Sequence, residues 1–164
     1  MAKAKLTHLD ARGAFRMVDV GEKAVTARRA VATGSVVFGA TSFRLLAANK
    51  LAKGDALAVA RLAGFQAGKR TPDWIPLCHT VPLTRLDVDI ALEKRGRRAR
   101  ITATAEARWT TGVEMEALVA VSAAALALYD MAKGVDRAIT IEEIALVEKT
   151  GGRSGTWRRG GRSA

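Results

Sequence analysis

Residues 111–134 combine an apolar run with ionisable groups at both of its ends. The stretch reads TGVEMEALVAVSAAALALYDMAKG, with Glu114 and Glu116 before the run and Asp130 and Lys133 after it. On a helix, Asp130 and Lys133 are neighbours on one face, because they are three residues apart. A carboxylate beside an ammonium group is a pair suited to proton transfer. The pattern predicts a buried helix that carries acid/base groups at its termini.

The spacing of these groups limits what one helix can do. At about 100° per residue, Glu116, Asp130 and Lys133 fall in the same third of the helix circumference, beside a stripe of small residues. Glu116 and Asp130 are about 21 Å apart along the axis, so one reacting atom cannot touch both. Two copies packed antiparallel across a two-fold axis would bring the opposite ends together. The alternative is a core helix whose charges emerge at its ends, and geometry alone leaves both interpretations open.

A second group of candidates follows the prolines of the segment TPDWIPLCHTVP. His79 could carry a proton or contact a phosphate, although a single loop histidine is more often structural. Cys78 and His79 make a poor metal site, because the chain has no other cysteine and its only other histidine is His8. We therefore expect no bound metal at this loop.

Several lysines and arginines could contact an anion. Lys53 lies between two predicted helices, and Lys69 and Arg70 follow the second of them. The segment AGFQAGKRT has three residues between its glycines where a phosphate-binding P-loop has four, so it is not that motif. Arg28 and Arg29 occupy adjacent strand positions and should face opposite sides of a sheet. Phosphate contact and ordinary solvated charge both remain open for these residues.

The elements that must position these groups follow from hydrophobic periodicity and turn residues. Thr111 and Glu114 have the spacing of a capping box, Asp55 is placed to begin a helix, and Gly134 is placed to end one. The order indicates an α+β protein with a ferredoxin-like split βαβ fold, in which an antiparallel sheet carries its helices on one face. The predicted elements are a strand over 25–38, helices over 40–49 and 55–69, a rigid loop over 71–82, strands over 86–92 and 100–108, a helix over 111–134 and a strand over 139–149.

Composition restricts the class of protein. We predict one domain over 1–164, with an extended arm over 1–22 and a flexible Gly/Arg-rich tail over 150–164. The net charge of +11 indicates an anionic partner, either a phosphorylated small molecule or nucleic acid, or a merely solvated surface, while 5% aromatic residues are few for base stacking. A single cysteine suits a reducing cytoplasm, and we find neither a signal peptide nor a membrane span.

Together these segments resemble the MoaC family of molybdenum cofactor biosynthesis. The resemblance begins at LTHLD, covers most of the 164 residues in the same order, and runs through MVDV, KGDALAVARLAG, KRT, IPLCH, TGVEMEAL, YDMAKGVD and EKTGGRSG. It implies a lyase that acts as a cyclic pyranopterin monophosphate synthase. The implied reaction converts 3',8-cyclo-7,8-dihydroguanosine 5'-triphosphate to cyclic pyranopterin monophosphate and pyrophosphate by general acid/base catalysis.

The resemblance also implies the site residues. The implied catalytic residues are Asp130, Lys133 and Lys53, and the implied substrate-binding residues are Leu77, Cys78, His79, Met115, Glu116, Glu114, Lys69 and Arg28. We expect burial to lower a lysine pKa, His79, Lys69 and Arg28 to hold phosphates, and Glu116 to hold the guanine-derived ring. The family pattern is changed at four positions, namely Thr80, Ala132, Thr150 and Arg153, and none of these changes removes a proposed proton carrier.

The implied partners are a small-molecule triphosphate and further copies of the chain. The resemblance implies a hexamer, a trimer of dimers, with active sites at the dimer interface, in the cytoplasm. It implies no required cofactor and no metal except Mg²⁺ accompanying the triphosphate, and neither nucleic acid nor membrane is an expected partner. Two rival interpretations exist. One is a basic nucleic-acid-binding protein, but carboxylates interleaved with the lysines would repel the phosphates of a nucleic acid. The other is a structural oligomer whose charged helix ends set the register of its subunits.

Overall fold

The computed structural model of the protein describes residues 12–160. The predicted long elements are all present, with boundaries shifted by a few residues. Their bounds in chain order are β1 (Thr26–Val37), α1 (Ala40–Ala47), α2 (Ala56–Gly68), α3 (Thr71–Trp74), β2 (Leu83–Glu93), β3 (Arg98–Trp109), α4 (Glu114–Ala132), β4 (Thr140–Thr150) and β5 (Trp157–Arg158).

The strands form one antiparallel sheet in the order β2-β3-β1-β4-β5. β1 and β3 pair along their whole lengths, from Thr26 opposite Trp109 to Val37 opposite Arg98. The first four strands thus have the order of a split βαβ unit, in which β1 lies between β3 and β4. The predicted α+β ferredoxin-like fold is confirmed.

The two faces of the sheet differ in chemistry. Alternate residues of β3 point inward and are buried, and they are mostly alanine because α4 packs closely over them. The opposite face carries ion pairs, such as Arg29 Nη1 to Glu148 Oε1 at 2.7 Å and Arg100 Nε to Glu93 Oε1 at 2.9 Å. The helices therefore lie on one face, as predicted.

Glycines set the close packing of α2 against α4. A Cβ atom at Gly64 would lie 3.0 Å from the carbonyl oxygen of Ala120, and one at Gly68 would lie 3.1 Å from that of Glu116. The later glycine of α2 contacts the earlier residue of α4, so the two helices run antiparallel. The end of α2 lies beside the start of α4, and the residues before α2 lie near the end of α4.

Two local predictions were wrong, and a third was right only in position. Val113 is the N-cap of α4 and no side chain caps the helix, so Thr111 and Glu114 do not form a capping box. The Glu114 carboxylate instead occupies the space that a Cβ at Gly112 would need. Gly134 directly follows the C-cap of α4, as predicted, but it has no left-handed backbone. The predicted loop after α2 begins with the short helix α3, which tolerates its proline in the first turn.

The two predicted terminal segments are only partly described. The arm over 1–22 is described from residue 12 onward, where it forms no helix and one isolated bridge at Phe15. The tail over 150–164, expected to be flexible, contains the unpredicted strand β5. β5 pairs with β4 at residues 148 and 149, and Arg158 Nε lies 2.8 Å from Glu148 Oε2. Residues 161–164 lie outside the described range.

Among the described helices, α4 alone is long and apolar enough to cross a membrane by length and composition. More than half of that stretch, 56%, is buried within the chain, and the core helix of a soluble protein meets the same criteria. The burial is explained by its packing on β1, β3 and α2.

Candidate functional site

Three predicted catalytic residues meet at the end of α4 and form what we call the lysine–aspartate cluster. Lys53 Nζ lies 2.6 Å from Asp130 Oδ2, and Lys133 Nζ lies 2.6 Å from Asp130 Oδ1. Lys53 also donates to the backbone carbonyl of Asp130 at 3.0 Å. Asp130 and Lys133 are one helical turn apart, and Lys53 reaches them from the turn before α2.

The contacts within the cluster shift the pKa values of its members in opposite directions. Hydrogen bonds from Lys133 and then Lys53 lower the pKa of Asp130 to about 2. The Asp130 carboxylate in turn raises the pKa of Lys133. All three side chains are about half exposed, so the expectation that burial lowers a lysine pKa here is wrong for the chain by itself. At neutral pH Asp130 is an anion and Lys133 is a cation, and each stabilises the charged form of the other.

A second group of predicted residues surrounds a cavity at the start of α4, which we call the N-terminal pocket. Its volume is about 420 Å³. Three parts of the chain form its walls: the arm before β1, the loop after α3, and the first residues of α4. The lining residues are Val18, Val20, Lys23, Ile75, Leu77, Cys78, His79, Thr111, Gly112, Glu114 and Met115.

The orientation of His79 follows from a single contact. His79 Nε2 lies 2.8 Å from the backbone carbonyl oxygen of Val18. A carbonyl oxygen can only accept, so Nε2 carries the proton and donates it. In the neutral ring, Nδ1 is then the acceptor nitrogen. His79 is therefore fixed to the arm through one nitrogen and has the other available for a ligand or a proton.

Glu116 is the unusual carboxylate of this end of the helix. Its side chain is 2% exposed, and neither of its oxygens accepts a hydrogen bond from another residue within 12–160. Burial raises the pKa of Glu116 to about 7, and the charge of Glu114 adds to the rise. A buried carboxyl group without partners is costly to the fold. Such a group is typical of a functional position.

The charges of Glu116 and Glu114 also affect Cys78, in the loop wall of the N-terminal pocket. Burial raises the pKa of the Cys78 thiol, and Glu116 and Glu114 raise it further. Cys78 is consequently a neutral thiol at physiological pH. Its contribution to the pocket is shape and a weak hydrogen bond rather than nucleophilic chemistry.

Three predicted binding residues do not line the pocket within one chain, namely the buried Glu116 and the two cations Arg28 and Lys69. Arg28 donates from Nε to the Trp109 carbonyl and from Nη2 to the Thr110 carbonyl, both at 3.2 Å. Its guanidinium packs so closely on Gly152 that a Cβ there would overlap it. Lys69 is the exposed C-cap of α2, next to the Gly68 contact with the start of α4. Both are cations near the rim rather than in the wall.

Sequence reasoning missed one wall of the pocket. Val18 and Val20 belong to the segment predicted only as an extended arm, and Lys23 directly follows that segment. The MVDV motif contains the two valines and entered only through the family resemblance, whereas no motif contains Lys23. The described residues include no group of three or more His, Cys, Asp or Glu side chains that could hold a metal ion.

The two groups of residues lie at opposite ends of α4. Glu116 and the pocket are at its start, and Asp130 with its lysines is at its end, about 21 Å away along the axis. The antiparallel packing of α2 maintains this separation, since Lys69 lies at one end and Lys53 at the other. One chain therefore presents two half-sites that do not meet.

Comparisons with known proteins match nearly the whole chain and agree on one family. A model of the MoaC family matches residues 17–152. The cyclic pyranopterin monophosphate synthase of Thermomicrobium roseum is 55% identical over 156 residues, which are 95% of this chain and 94% of that protein. The synthase of Parvibaculum lavamentivorans is 52% identical over 158 residues, or 96% and 99% of the two chains. Molybdenum cofactor biosynthesis protein 1 of Bos taurus is 52% identical over 94% of this chain and 24% of its own length.

Proposed function

The chain belongs to the MoaC family, and on this basis we infer that it is a lyase of molybdenum cofactor biosynthesis with cyclic pyranopterin monophosphate synthase activity. Its substrate is 3',8-cyclo-7,8-dihydroguanosine 5'-triphosphate, and the products are cyclic pyranopterin monophosphate and pyrophosphate. The observation that carries the assignment is the lysine–aspartate cluster. Residues from two separate motifs, Lys53 and Asp130 with Lys133, meet within 2.6 Å.

In the proposed mechanism the cluster works on the phosphate and on proton transfer. A sugar hydroxyl attacks the α-phosphate, and the bond to the pyrophosphate breaks. The two ammonium groups stabilise the charge that develops on the leaving pyrophosphate. Lys133 is assigned as the general acid, because its raised pKa keeps it protonated in the free protein, and its neutral form serves as the base for the next transfer. Asp130 holds both lysines in place and accepts a proton only transiently.

The N-terminal pocket is assigned to the guanine-derived ring. Adjacent N–H donors on such a ring would supply the partners that the Glu116 carboxyl lacks. Donors at both oxygens favour the ionised form, so ring binding lowers the pKa of Glu116 from about 7. Leu77, Cys78 and Met115 shape the cavity, while His79 supplies its free nitrogen. Glu114 lies at its edge, and Lys69 and Arg28 at the rim are assigned to the phosphates.

Two half-sites on one chain favour an active site shared between two chains. Four exposed apolar side chains of α2, α3 and α4, which we call the helix-face patch, are Val59, Leu62, Trp74 and Leu126, and the last two border one groove. Contiguous exposed apolar groups are typical of an interface. A copy docked there about a two-fold axis would bring the start of one α4 near the end of the other. We assign the dimer to this patch and, from the family resemblance, the assembly to a hexamer built as a trimer of dimers.

The oligomer proposal has a direct test in the patch itself. Leu126 is 53% exposed, so Leu126→Lys should leave the isolated fold intact. We expect the variant to lose dimers in native mass spectrometry and to lose activity with them. The control is Ile144→Lys, because Ile144 is 39% exposed on β4, away from the patch. An active dimeric Leu126→Lys variant would refute the assignment of the interface.

No resident cofactor is proposed, and Mg²⁺ enters only as a companion of the triphosphate. Carboxylate and phosphate oxygens are the ligands that Mg²⁺ prefers, and it keeps several waters when bound through phosphates. Removing divalent ions should then change the apparent KM for the triphosphate and leave the unfolding temperature of the free protein unchanged. A fall in that temperature would indicate a resident metal. The proposed location is the cytoplasm.

The activity itself is tested by supplying the purified chain with the triphosphate substrate. We expect stoichiometric release of pyrophosphate and cyclic pyranopterin monophosphate. Lys53→Ala and Lys133→Ala should each abolish turnover while the circular dichroism spectrum stays native. Lys94→Ala, in the exposed β2–β3 turn, is the matched loss of charge and should keep full activity. Turnover by both cluster variants at the Lys94→Ala rate would refute the catalytic assignment.

A further inference from the structure

The arm before β1 is built to form a wall of the N-terminal pocket. Gly21 N donates to Asp19 Oδ1 at 2.9 Å, and Lys23 N donates to the Val20 carbonyl at 3.1 Å, so residues 19–23 form a tight turn. Val18 accepts the proton of His79 Nε2 at 2.8 Å, which ties the arm to the loop wall. The turn and this tie place the Lys23 side chain at the cavity.

Lys23 gives this pocket a positive charge that the other walls lack. Among the described residues that line the cavity, it is the only lysine or arginine. Glu114 lines the same cavity, and the buried Glu116 is close enough to raise the pKa of Cys78. Within residues 12–160, the Lys23 ammonium forms no ion pair with either carboxylate. It is exposed and therefore available to a ligand.

We propose that Lys23 is a further substrate-binding residue, whose ammonium binds an oxygen acceptor of the substrate in the N-terminal pocket. The inference rests on the proposed function. When ionised, Glu114 of the wall and the nearby Glu116 can only accept hydrogen bonds from the substrate, so the acceptors of the same molecule need a donor in the walls. Lys23 supplies three N–H groups on a flexible four-carbon stem. The acceptor is a charged phosphate oxygen or the carbonyl oxygen of the ring, and both have the same chemistry.

The contact predicts a change in binding rather than in the chemical step. Lys23 lies in the wall of the pocket that is assigned to binding, whereas the proton transfers are assigned to the lysine–aspartate cluster. Losing a charge-assisted hydrogen bond weakens binding by about 10- to 100-fold. Lys23→Ala should therefore raise KM by that factor and change kcat by less than about threefold. Lys23→Arg keeps the charge and should recover most of the loss.

The experiment is steady-state turnover of the full chain with the triphosphate substrate, comparing wild type, Lys23→Ala, Lys23→Arg and the surface control Lys94→Ala. Inhibition by added pyrophosphate distinguishes the two acceptors. If Lys23 binds a phosphate, the inhibition constant of pyrophosphate rises in Lys23→Ala along with KM. If it binds the ring carbonyl, KM rises and the inhibition constant does not.

Three results would overturn the inference. One is a KM of Lys23→Ala equal to that of Lys94→Ala, and another is a loss confined to kcat. The third is an equal loss in Lys23→Ala and Lys23→Arg, with the same fall in unfolding temperature, which would mean that residue 23 supports only the fold of the arm. An inactive wild-type chain, by contrast, would refute the proposed function.

Discussion

Replacing Glu116 with glutamine should stabilise the protein at high pH and abolish its activity. The Glu116 carboxyl is 2% exposed and lacks hydrogen-bond partners from other residues within 12–160, and its pKa is about 7 against an ordinary value of 4.5. Between pH 4.5 and about pH 7, Glu116 therefore keeps its proton in the folded chain and has released it in the unfolded chain. Because the folded-state pKa is raised, the group's contribution to stability is full below 4.5 and is lost as the pH rises towards 7.

The size of the effect follows from the two pKa values. Between about pH 5 and about pH 8, the linkage relation gives a fall of about 2.5 kcal/mol in the free energy of unfolding for this one carboxyl. Glutamine has the same shape as the protonated acid and does not titrate. The difference in unfolding free energy, wild type minus Glu116→Gln, should therefore fall by about 2.5 kcal/mol over the same range.

The assay is urea unfolding of both proteins at the two pH values and at one fixed protein concentration. Glu22→Gln is the matched control, because it makes the same substitution at an exposed glutamate of the arm. Turnover of Glu116→Gln should be lost at both pH values, since glutamine cannot accept donors at both positions. A stability difference that does not change with pH would refute the assignment of Glu116 as a buried, uncompensated acid.

Three further predictions concern the scaffold and the pocket. Asp136 accepts hydrogen bonds from two backbone N–H groups and a serine hydroxyl, so Asp136→Ala should lower the free energy of unfolding by about 1–2 kcal/mol in urea titrations, and no change would contradict this. A Cβ at Gly68 would lie 2.8 Å from a leucine methyl, so Gly68→Ala should lower the free energy of unfolding by about 1–3 kcal/mol in the same titrations. Gly134→Ala is the control, because there is open space around Gly134, and it should not lower that free energy. In His8→Gln protein, whose only histidine is His79, ¹⁵N NMR should show a proton on Nε2 at high pH, and a proton on Nδ1 would contradict the arm contact.

Local patterns predicted the fold because its long elements follow simple periodicities. The alternation in β1 and β3 and the apolar run of α4 gave their positions within a few residues. Asp130 and Lys133 could be paired from spacing, since they lie on one helical turn. Short or atypical elements were missed, because α3 has four residues and β5 has two in a Gly/Arg-rich segment.

Contacts between distant segments could not be derived from spacing. Lys53 is 77 residues from Asp130 in the chain, and only the antiparallel packing of α2 on α4 brings them together. The family resemblance named Lys53, whereas nothing local in the sequence placed Lys23 or Val18 in a pocket wall. The pKa directions also depend on tertiary structure. The hydrogen bond to Asp130 and the charge of its carboxylate raise the pKa of Lys133, where burial was expected to lower a lysine pKa.

The central claim is that the pocket of one chain works with the lysine–aspartate cluster of another. It is tested most directly by mixing two inactive proteins, Asp130→Ala and Glu116→Ala, after native mass spectrometry has verified that mixed oligomers form. A mixed dimer has one site with both substitutions and one with neither, so we expect turnover to reappear in the mixture. Verified mixed oligomers that remain as inactive as either parent would contradict the shared site.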